Sequence, residues 1–545
     1  MSEVRPNVLL IMTDEERYPP PYEDEVLAEY RRTRLPARQR LWDRGLELHR
    51  HYVGSTACLP SRATLFTGQY PSLHGVTNTD GMAKAASDPT MSWLDPDMVP
   101  TMGDWFRAAG YRTHYRGKWH ISHADLLTPG THDAPRSNQR DGSPVDEVVD
   151  AYRRADRLDP FGFGGWIGRE PHGADPADTG IVRDPIFAEQ VAHLFTELAE
   201  DRATPWMTVA SLVNPHDIAF SGFGWEVLGF PPTPDSVPDV AAAPSQSDSL
   251  DDRPTAQARF RDTWPRMLYD QPVDLSYRRF YYWLHELVDV AIGRILDGLE
   301  ASGQADDTIV VFTSDHGDLL GAHGGLQQKW HNGYDEALHV PFVVSGPGID
   351  VRPGGLDLPT SHLDLIPTLL GLVGADVEQL AVRVTEDHVE TRPLVGRDLS
   401  GLLTGSASDD AVDAPIYFMT EDQISRGLRT TNRFSGEPFD AVGPPAKVES
   451  VVARLDTGAD GGVELWKLNR YYDQLDPDGA DAGTGGEGGD PIASQWELHN
   501  LTTDPEERSN RASTDAAVAN RLRTLLDAER TAKRLTPSLT LTPNR

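Results

Sequence analysis

The sequence predicts an α/β fold, a sheet buried between layers of helices, with a smaller α+β subdomain behind it. Three features carry that prediction: apolar runs that end abruptly in polar residues, helical patterns alternating with those runs, and a length of 545 residues, too long for one ordinary core. Val8 to Met12 leads into Thr13-Asp14-Glu15, Trp206 to Val213 into Asn214-Pro215-His216-Asp217, and Ile309 to Phe312 into Thr313-Ser314-Asp315-His316. Runs apolar on both faces suit the buried strands of a helix-covered sheet, and such sheets bind ligands beyond the carboxyl ends of their strands. All three polar clusters fall at that edge.

Helices are predicted over Met102 to Ala109, Phe187 to Glu200, Tyr281 to Ser302 and Leu363 to Leu372. In the third, Leu284, Leu287, Val288, Ala291, Ile292, Ile295 and Leu296 recur at helical spacing and form a core face. The stretch from Thr404 to Asp410 reads as a linker, dividing the chain into 1–410 and 411–545. Beyond it, Ile416 to Met419 and Val448 to Leu455 read as strands of a small antiparallel sheet, and Asp515 to Arg534 as a closing helix. The Gly- and Asp-rich run from Asp476 to Asp490 reads as a mobile loop.

With 84 acidic against 50 basic side chains the net charge is −34, which argues against a nucleic-acid partner and against anionic membranes. A small anion is also repelled at long range, but salt screens that repulsion beyond about 8 Å, so a local cluster of cations and a metal still captures one. The start, Met1-Ser2-Glu3-Val4-Arg5-Pro6, runs straight into a strand-like segment without a leader pattern, and no apolar run reaches membrane-span length. The expectation is a cytoplasmic protein, and a free thiol suits a reducing compartment.

Cys58 is the one cysteine of the chain, so it forms no intrachain disulfide and no multi-thiolate metal site. It opens the run Cys58-Leu59-Pro60-Ser61-Arg62-Ala63-Thr64-Leu65-Phe66-Thr67-Gly68. Pro60 suits the first turn of a helix starting at Cys58, Thr56 or Ser55 is placed near its cap, and Gly68 can end it. Free backbone N–H groups at that end favour an anion, and Arg62, one turn on, adds a fixed positive charge.

The run resembles the active-site signature of the type I sulfatases, of the alkaline phosphatase superfamily; its Cys, Pro, Ser, Arg, Thr and Gly all match. The resemblance implies a large mixed, mostly parallel sheet sandwiched by helices in 1–410 and a smaller C-terminal α+β subdomain in 411–545. It also implies that Cys58 is oxidised after translation to formylglycine by a maturation enzyme. In the family the aldehyde hydrates to a geminal diol, one hydroxyl attacks the sulfur of a sulfate ester, and the second later loses its proton to expel sulfate, which is covalent catalysis.

The family also binds one divalent cation between acidic strand-end residues and the modified cysteine. Asp14 matches the first acid of its Asp-Asp pair, with Glu15 as the second, and Asp315-His316-Gly317 resembles its second metal motif. Glu15 stands where Asp is usual; it reaches further and can ligate, or it can turn aside to accept a hydrogen bond. His316 stands where many members carry Asn and resembles the branch of choline-sulfatase-like and phosphonate-monoester-hydrolase-like enzymes. Calcium is the metal the resemblance implies, and the imidazole nitrogen admits manganese as a rival.

Lys118 and His120 match the family's Gly-Lys-x-His run, where the lysine binds sulfate and the histidine positions the hydrate; two apart on an extended segment, they point to one side. His216 resembles the histidine that donates to the leaving group, and Lys329 the last sulfate-contacting lysine, while His323 and His331 are expected to shape the loop. The resemblance covers Asn7 to about Gly348 and a tail from Trp496 to Glu507. The substrate it implies is a small sulfate ester of unspecified alcohol. Phe161 to Trp166 and His172, in the long segment from Asp125 to Asp184, either line its pocket or pack on their own domain. The rival readings are a phosphonate monoester or phosphodiester hydrolase and a noncatalytic sulfate-ester binding protein with an unmodified Cys58.

Overall fold

A computed structural model describes residues 5–171, 175–222, 227–409, 413–457, 462–476, 479–482 and 491–538. Seven strands form its first sheet: β1 (Asn7–Asp14), β2 (Gly45–Tyr52), β3 (Arg112–Gly117), β4 (Trp206–Pro215), β5 (Thr308–Ser314), β6 (Phe342–Ser345) and β7 (Leu356–Ser361). Their order is β3-β4-β1-β5-β6-β2-β7, and β6, four residues long, is the strand that runs against its neighbours. β1 is parallel to β4 on one side and β5 on the other, with Val8 opposite both Met207 and Ile309.

Alternation along β1 explains the sandwich, because successive side chains of a strand leave opposite faces. Val8, Leu10 and Met12 enter one core with Met102, Phe106, Ile366 and Leu369, whereas Leu9 and Ile11 enter another with Phe187, Val191, Ile292 and Ile295. The helices that supply these residues are Met102–Ala108, Gly180–Leu198, Leu275–Ala301 and Leu365–Leu372. Of the apolar face read from the third, Leu284, Val288, Ala291, Ile292, Ile295 and Leu296 are buried.

Two helices begin earlier than the periodicity indicates. The second starts seven residues sooner, with Pro185 inside it, because the Asp217 carboxylate accepts from the N–H groups of Gly180 and Ile181, both at 3.0 Å. The third starts at Leu275, where Asp274 caps it by accepting from Tyr277 N at 2.9 Å. In both cases a carboxylate defines the start, and the apolar stripe that periodicity detects sets in only later.

A second sheet, fully antiparallel, has the order β11-β10-β9-β8 from β8 (Ile416–Thr420), β9 (Lys447–Asp456), β10 (Val463–Tyr472) and β11 (Gln495–Asn500). The closing helix, Ala516–Lys533, lays Ala519, Leu522 and Leu526 on Val451, Leu468 and Leu498. The other face of this sheet is continuous with the larger part: Phe418, Val448 and Tyr471 share a core with Tyr52, Trp264 and Trp330. Met419 N donates to Gly54 O at 3.1 Å and Tyr70 OH to Tyr417 O at 2.5 Å, so the small sheet holds the chain on both sides of Cys58. Asp410 and most of the run from Asp476 to Asp490 lie outside the described residues.

Within the segment from Asp125 to Asp184, the run from Phe161 to Trp166 packs on its own domain, while Asp133 reaches the cavity that Cys58 lines. Phe161, Phe163 and Trp166 are buried in the first core, and Trp166 Nε1 donates to Gly117 O at 2.9 Å. His172 lies outside the described residues.

Candidate active site

Every strand that delivers a site residue does so from its carboxyl end. β1 ends at Asp14, β5 passes into Asp315-His316, β4 into His216, and β3 into Lys118; the chain leaving β2 turns into the helix Cys58–Thr67. Gly117 permits the junction after β3: at φ 110° a Cβ there would stand 1.8 Å from Ser211 O. The helix ends at Gly68 in the left-handed conformation, φ 64°. Its N-cap is Ala57, without a capping side chain, which corrects the expectation for Thr56 or Ser55. Asp422, from beyond β8, anchors the residue before the helix instead, accepting from Ala57 N at 3.4 Å and from Trp330 Nε1 at 3.0 Å.

Cys58 is buried, with Sγ 3.1 Å from His316 Nε2 and 3.7 Å from Asp14 Oδ1. Burial, and then the Asp14 carboxylate, push its thiol well above the usual range. His316 Nδ1 lies 3.0 Å from Gly317 O, so Nδ1 carries the proton and Nε2 faces the carboxylates as a lone pair. Nε2 stands 3.8 Å from Asp14 Oδ1 and 3.6 Å from Asp315 Oδ1. Burial keeps this imidazole neutral, well below its usual value.

Arg62 does not present its charge to an open anion cradle. Fully buried, it donates to Asp315 Oδ2 at 2.7 Å, Asp14 Oδ2 at 2.8 Å, Lys118 O at 2.7 Å and Ser211 Oγ at 2.9 Å. Lys118 Nζ lies 2.6 Å from the same Asp14 oxygen. Burial works against the Asp14 charge, but Lys118 and Arg62 outweigh it and hold the carboxyl well below the usual range. Asp315, pushed up by burial and by Asp14, reaches about 7. Each carboxylate therefore has its Oδ2 tied to cations and its Oδ1 turned toward Cys58 and His316.

Asp14, Cys58, Asp315 and His316 offer four ligand atoms within 4.8 Å of one another, all buried. Two carboxylate oxygens, an unprotonated imidazole nitrogen and the group at position 58 fit one divalent cation. Glu15 is not in that set. It accepts the charge of Lys329, whose Nζ lies 2.8 Å from Oε2, and it belongs with Asp14 and His216 to a second, three-donor group. Burial lowers the Lys329 ammonium, yet Glu15 outweighs it and keeps the lysine charged.

His120 departs from expectation. Its φ of 55° breaks the extension of the segment, so Lys118 and His120 do not share a side. Lys118 turns to Asp14, whereas His120 Nε2 meets Asp80 Oδ1 at 2.9 Å. Glu170 fixes this turn by accepting from His120 N at 2.8 Å and Trp119 N at 3.2 Å. His216 is held from behind: Asp184 accepts from Val213 N and Asn214 N, at 2.6 and 2.9 Å, and Asp217 is locked to the helix start described above. His323 pairs with Glu336 and His331 lies 2.9 Å from Ala446 O, the structural roles expected of them.

Cys58, His216 and Lys329 line one cavity of about 520 Å³. Asp80, Lys84, Trp264, Trp330, Arg429 and Arg433 line it too, and none of these was found from sequence. Trp330 follows Lys329 directly, which is a usable signal; Asp80, Trp264 and the two arginines carry none, because they reach the cavity through packing of distant segments.

The family model for the sulfatases matches residues 6–375. The chain is 29% identical over 413 residues to the choline-sulfatase of Rhizobium meliloti (strain 1021), covering 72% of each chain. Among solved structures, the phosphonate monoester hydrolase of Silicibacter pomeroyi superposes with a TM-score of 0.62 at 21% identity, covering 98% of this chain and 97% of that one. A 2-O GAG sulfatase superposes with a TM-score of 0.61 at 19% identity, covering 97% and 93%. These likenesses show the alkaline-phosphatase-like fold, and the matched span contains Asp14, Cys58, Lys118, His216, Asp315, His316 and Lys329. The chain belongs to the sulfatase family and is a sulfuric ester hydrolase.

Proposed function

We propose that the protein hydrolyses sulfate monoesters of small alcohols to alcohol and inorganic sulfate, with the nucleophile made from Cys58 as a hydrated formylglycine. The observation that carries this reading is the position of Cys58, on the floor of a cavity and 3.1 to 3.7 Å from the imidazole and carboxylate of a four-donor cage. Asp14, Asp315, His316 and the residue-58 group would hold one divalent cation, calcium first and manganese as the rival. When bound, it neutralises sulfate oxygens and polarises the nucleophile.

The chain's own groups divide the remaining work. Arg62 fixes the two carboxylates and leaves one oxygen of each facing the cage. Lys118 and Lys329 supply positive charge where the ester oxyanion docks, each held beforehand by an acid, Asp14 or Glu15. His216, in the cavity wall, donates the proton that the leaving alcohol needs. His120 acts through Asp80 and is a positioning residue. Glu15 serves as the holder of Lys329, adjacent to the metal cage. A maturation enzyme is the required partner, and a reducing compartment, the cytoplasm, suits a chain whose one thiol is unpaired.

Cys58→Ala tests the reading. Turnover of para-nitrophenyl sulfate should vanish while the circular dichroism spectrum stays unchanged, and retained turnover contradicts covalent catalysis. Side-by-side kinetics on an aryl sulfate and an aryl phosphonate ester test the substrate: a much larger kcat/KM on the phosphorus ester makes sulfate the wrong assignment.

A further inference from the structure

We propose that the cavity beside Cys58 contains a second, anion-binding subsite built from Arg429 and Arg433, and that the sulfate ester it accepts is that of an aromatic alcohol bearing a second anionic group such as a carboxylate. The inference rests on the sulfatase reading for the place of the first anion, the scissile sulfate. Its observations come from the loop between β8 and β9, which neither the metal cage nor the nucleophile uses.

In a chain with 84 acidic side chains, most arginines have an acidic neighbour, yet neither Arg429 nor Arg433 makes an ion pair among the described residues. Arg429 is half-buried, with NH1 donating to Gly81 O at 3.3 Å, and Arg433 is exposed. Two cations four positions apart, both turned to one cavity, repel each other, and the acids near Arg429, Asp80 and Asp88, offset its charge only from a distance while engaged by His120 and by Leu428 N. Burial and the charge of Arg433 both lower the Arg429 guanidinium. A bound anion removes this conflict.

The two arginines stand on a fixed backbone. Arg429 N donates to Ala83 O at 3.0 Å, and Leu428 N to Asp88 Oδ2 at 3.0 Å. Asn432 clamps the loop to the helix Thr255–Met267 by donating to Arg266 O and Leu268 O, both at 2.8 Å, while its Oδ1 accepts from Phe434 N at 2.7 Å. The subsite is thus organised before any ligand arrives, which lowers the ordering cost of binding.

The apolar wall defines the alcohol. Trp264 and Trp330 stack at 5.6 Å, Tyr269 and Phe434 meet edge to face at 6.2 Å, and Leu268 and Ile424 complete the surface. An aromatic ring suits such a wall. Of the acids lining the cavity, Asp80 is engaged by His120 and Asp133 is exposed, so neither offers a buried site for a cation. A quaternary ammonium alcohol would meet two unpaired guanidinium groups instead.

The test compares two esters whose leaving phenols differ only at the remote end of the para chain, para-sulfooxyphenylpropanoate and its neutral amide, para-sulfooxyphenylpropanamide. The protein should favour the propanoate about tenfold in kcat/KM, the size of one charge-assisted hydrogen bond, mainly through KM. In Arg433→Gln, an exposed position, and in the double variant Arg429→Gln/Arg433→Gln, the ratio should fall to about one. Equal kcat/KM for the two esters in the unaltered protein, or an undiminished ratio in the double variant, overturns the subsite. Calorimetric binding of both esters to Cys58→Ala, with and without the arginine substitutions, separates this from the chemistry. A tenfold Kd ratio without turnover in the unaltered enzyme keeps the subsite and removes the hydrolysis reading; turnover with neither ratio does the reverse.

Discussion

Arg62→Met removes the charge that organises the metal carboxylates while keeping side-chain bulk. The guanidinium makes four hydrogen bonds of 2.7 to 2.9 Å at zero exposure, two of them to Asp14 and Asp315. Breaking a buried pair by removing one partner costs about 3–5 kcal/mol, because the other charge stays buried. With about 2.1 cal/mol/K of unfolding entropy per residue, 545 residues give roughly 1.1 kcal/mol per degree, so Tm should fall by about 3–4 °C. A smaller cooperative unit would fall further. The assay is thermal melting in excess chelator, since a bound dication would itself neutralise the carboxylates. Arg294→Met, which breaks an exposed pair with Glu189, is the internal control and should shift Tm by about 1 °C or less. An Arg62→Met melt no lower than that of Arg294→Met refutes the assignment.

Three further outcomes follow from the same geometry. Unconverted Cys58, buried and with its thiol raised well above the usual range, should resist iodoacetamide at pH 8 in native protein and react in urea; adduct mass checks this, and rapid native labelling contradicts it. His216→Ala should reduce kcat/KM on alkyl sulfates at least about tenfold more than on nitrophenyl sulfate, because an activated phenol needs no proton from the protein; equal losses argue against the acid role. Glu170, pushed up to about 8 by burial and by Asp125, keeps a proton that the unfolded chain releases near pH 4.5. The native state then binds more protons across that window, so stability falls as pH rises from about 4.5 to 8, with a slope of at most about 1.4 kcal/mol per unit. Glu170→Gln should flatten the Tm–pH profile there, and an unchanged slope excludes Glu170 as its source.

The strands that carry the site were legible because apolar runs end where chemistry begins. β1, β4 and β5 each appear as such a run, and Asp14, His216 and Asp315 follow from them. β2 was not legible: Gly-Leu-Glu-Leu-His-Arg-His-Tyr has the polarity of a surface segment, and β6 is too short to show a period. Helix starts set by Asp217 and Asp274 escape periodicity because a cap is one residue, not a pattern. The partners of Arg62 were not legible, since nothing local says that acids 48 and 253 positions away take its donors. The same distance problem hid the pairing of His120 with Asp80 and of Glu15 with Lys329. Each of these pairs is a long-range electrostatic choice made only once the sheet brings the strand ends together.

The central claim is that position 58 is not a thiol in the working protein. Mass analysis of the proteolytic peptide spanning Cys58, from protein made in its native host and scored for turnover of an aryl sulfate, tests it directly. The account predicts the loss that accompanies replacement of CH2–SH by CHO, in proportion to activity across preparations. Full activity in a preparation whose Cys58 peptide has the unmodified thiol mass would contradict it.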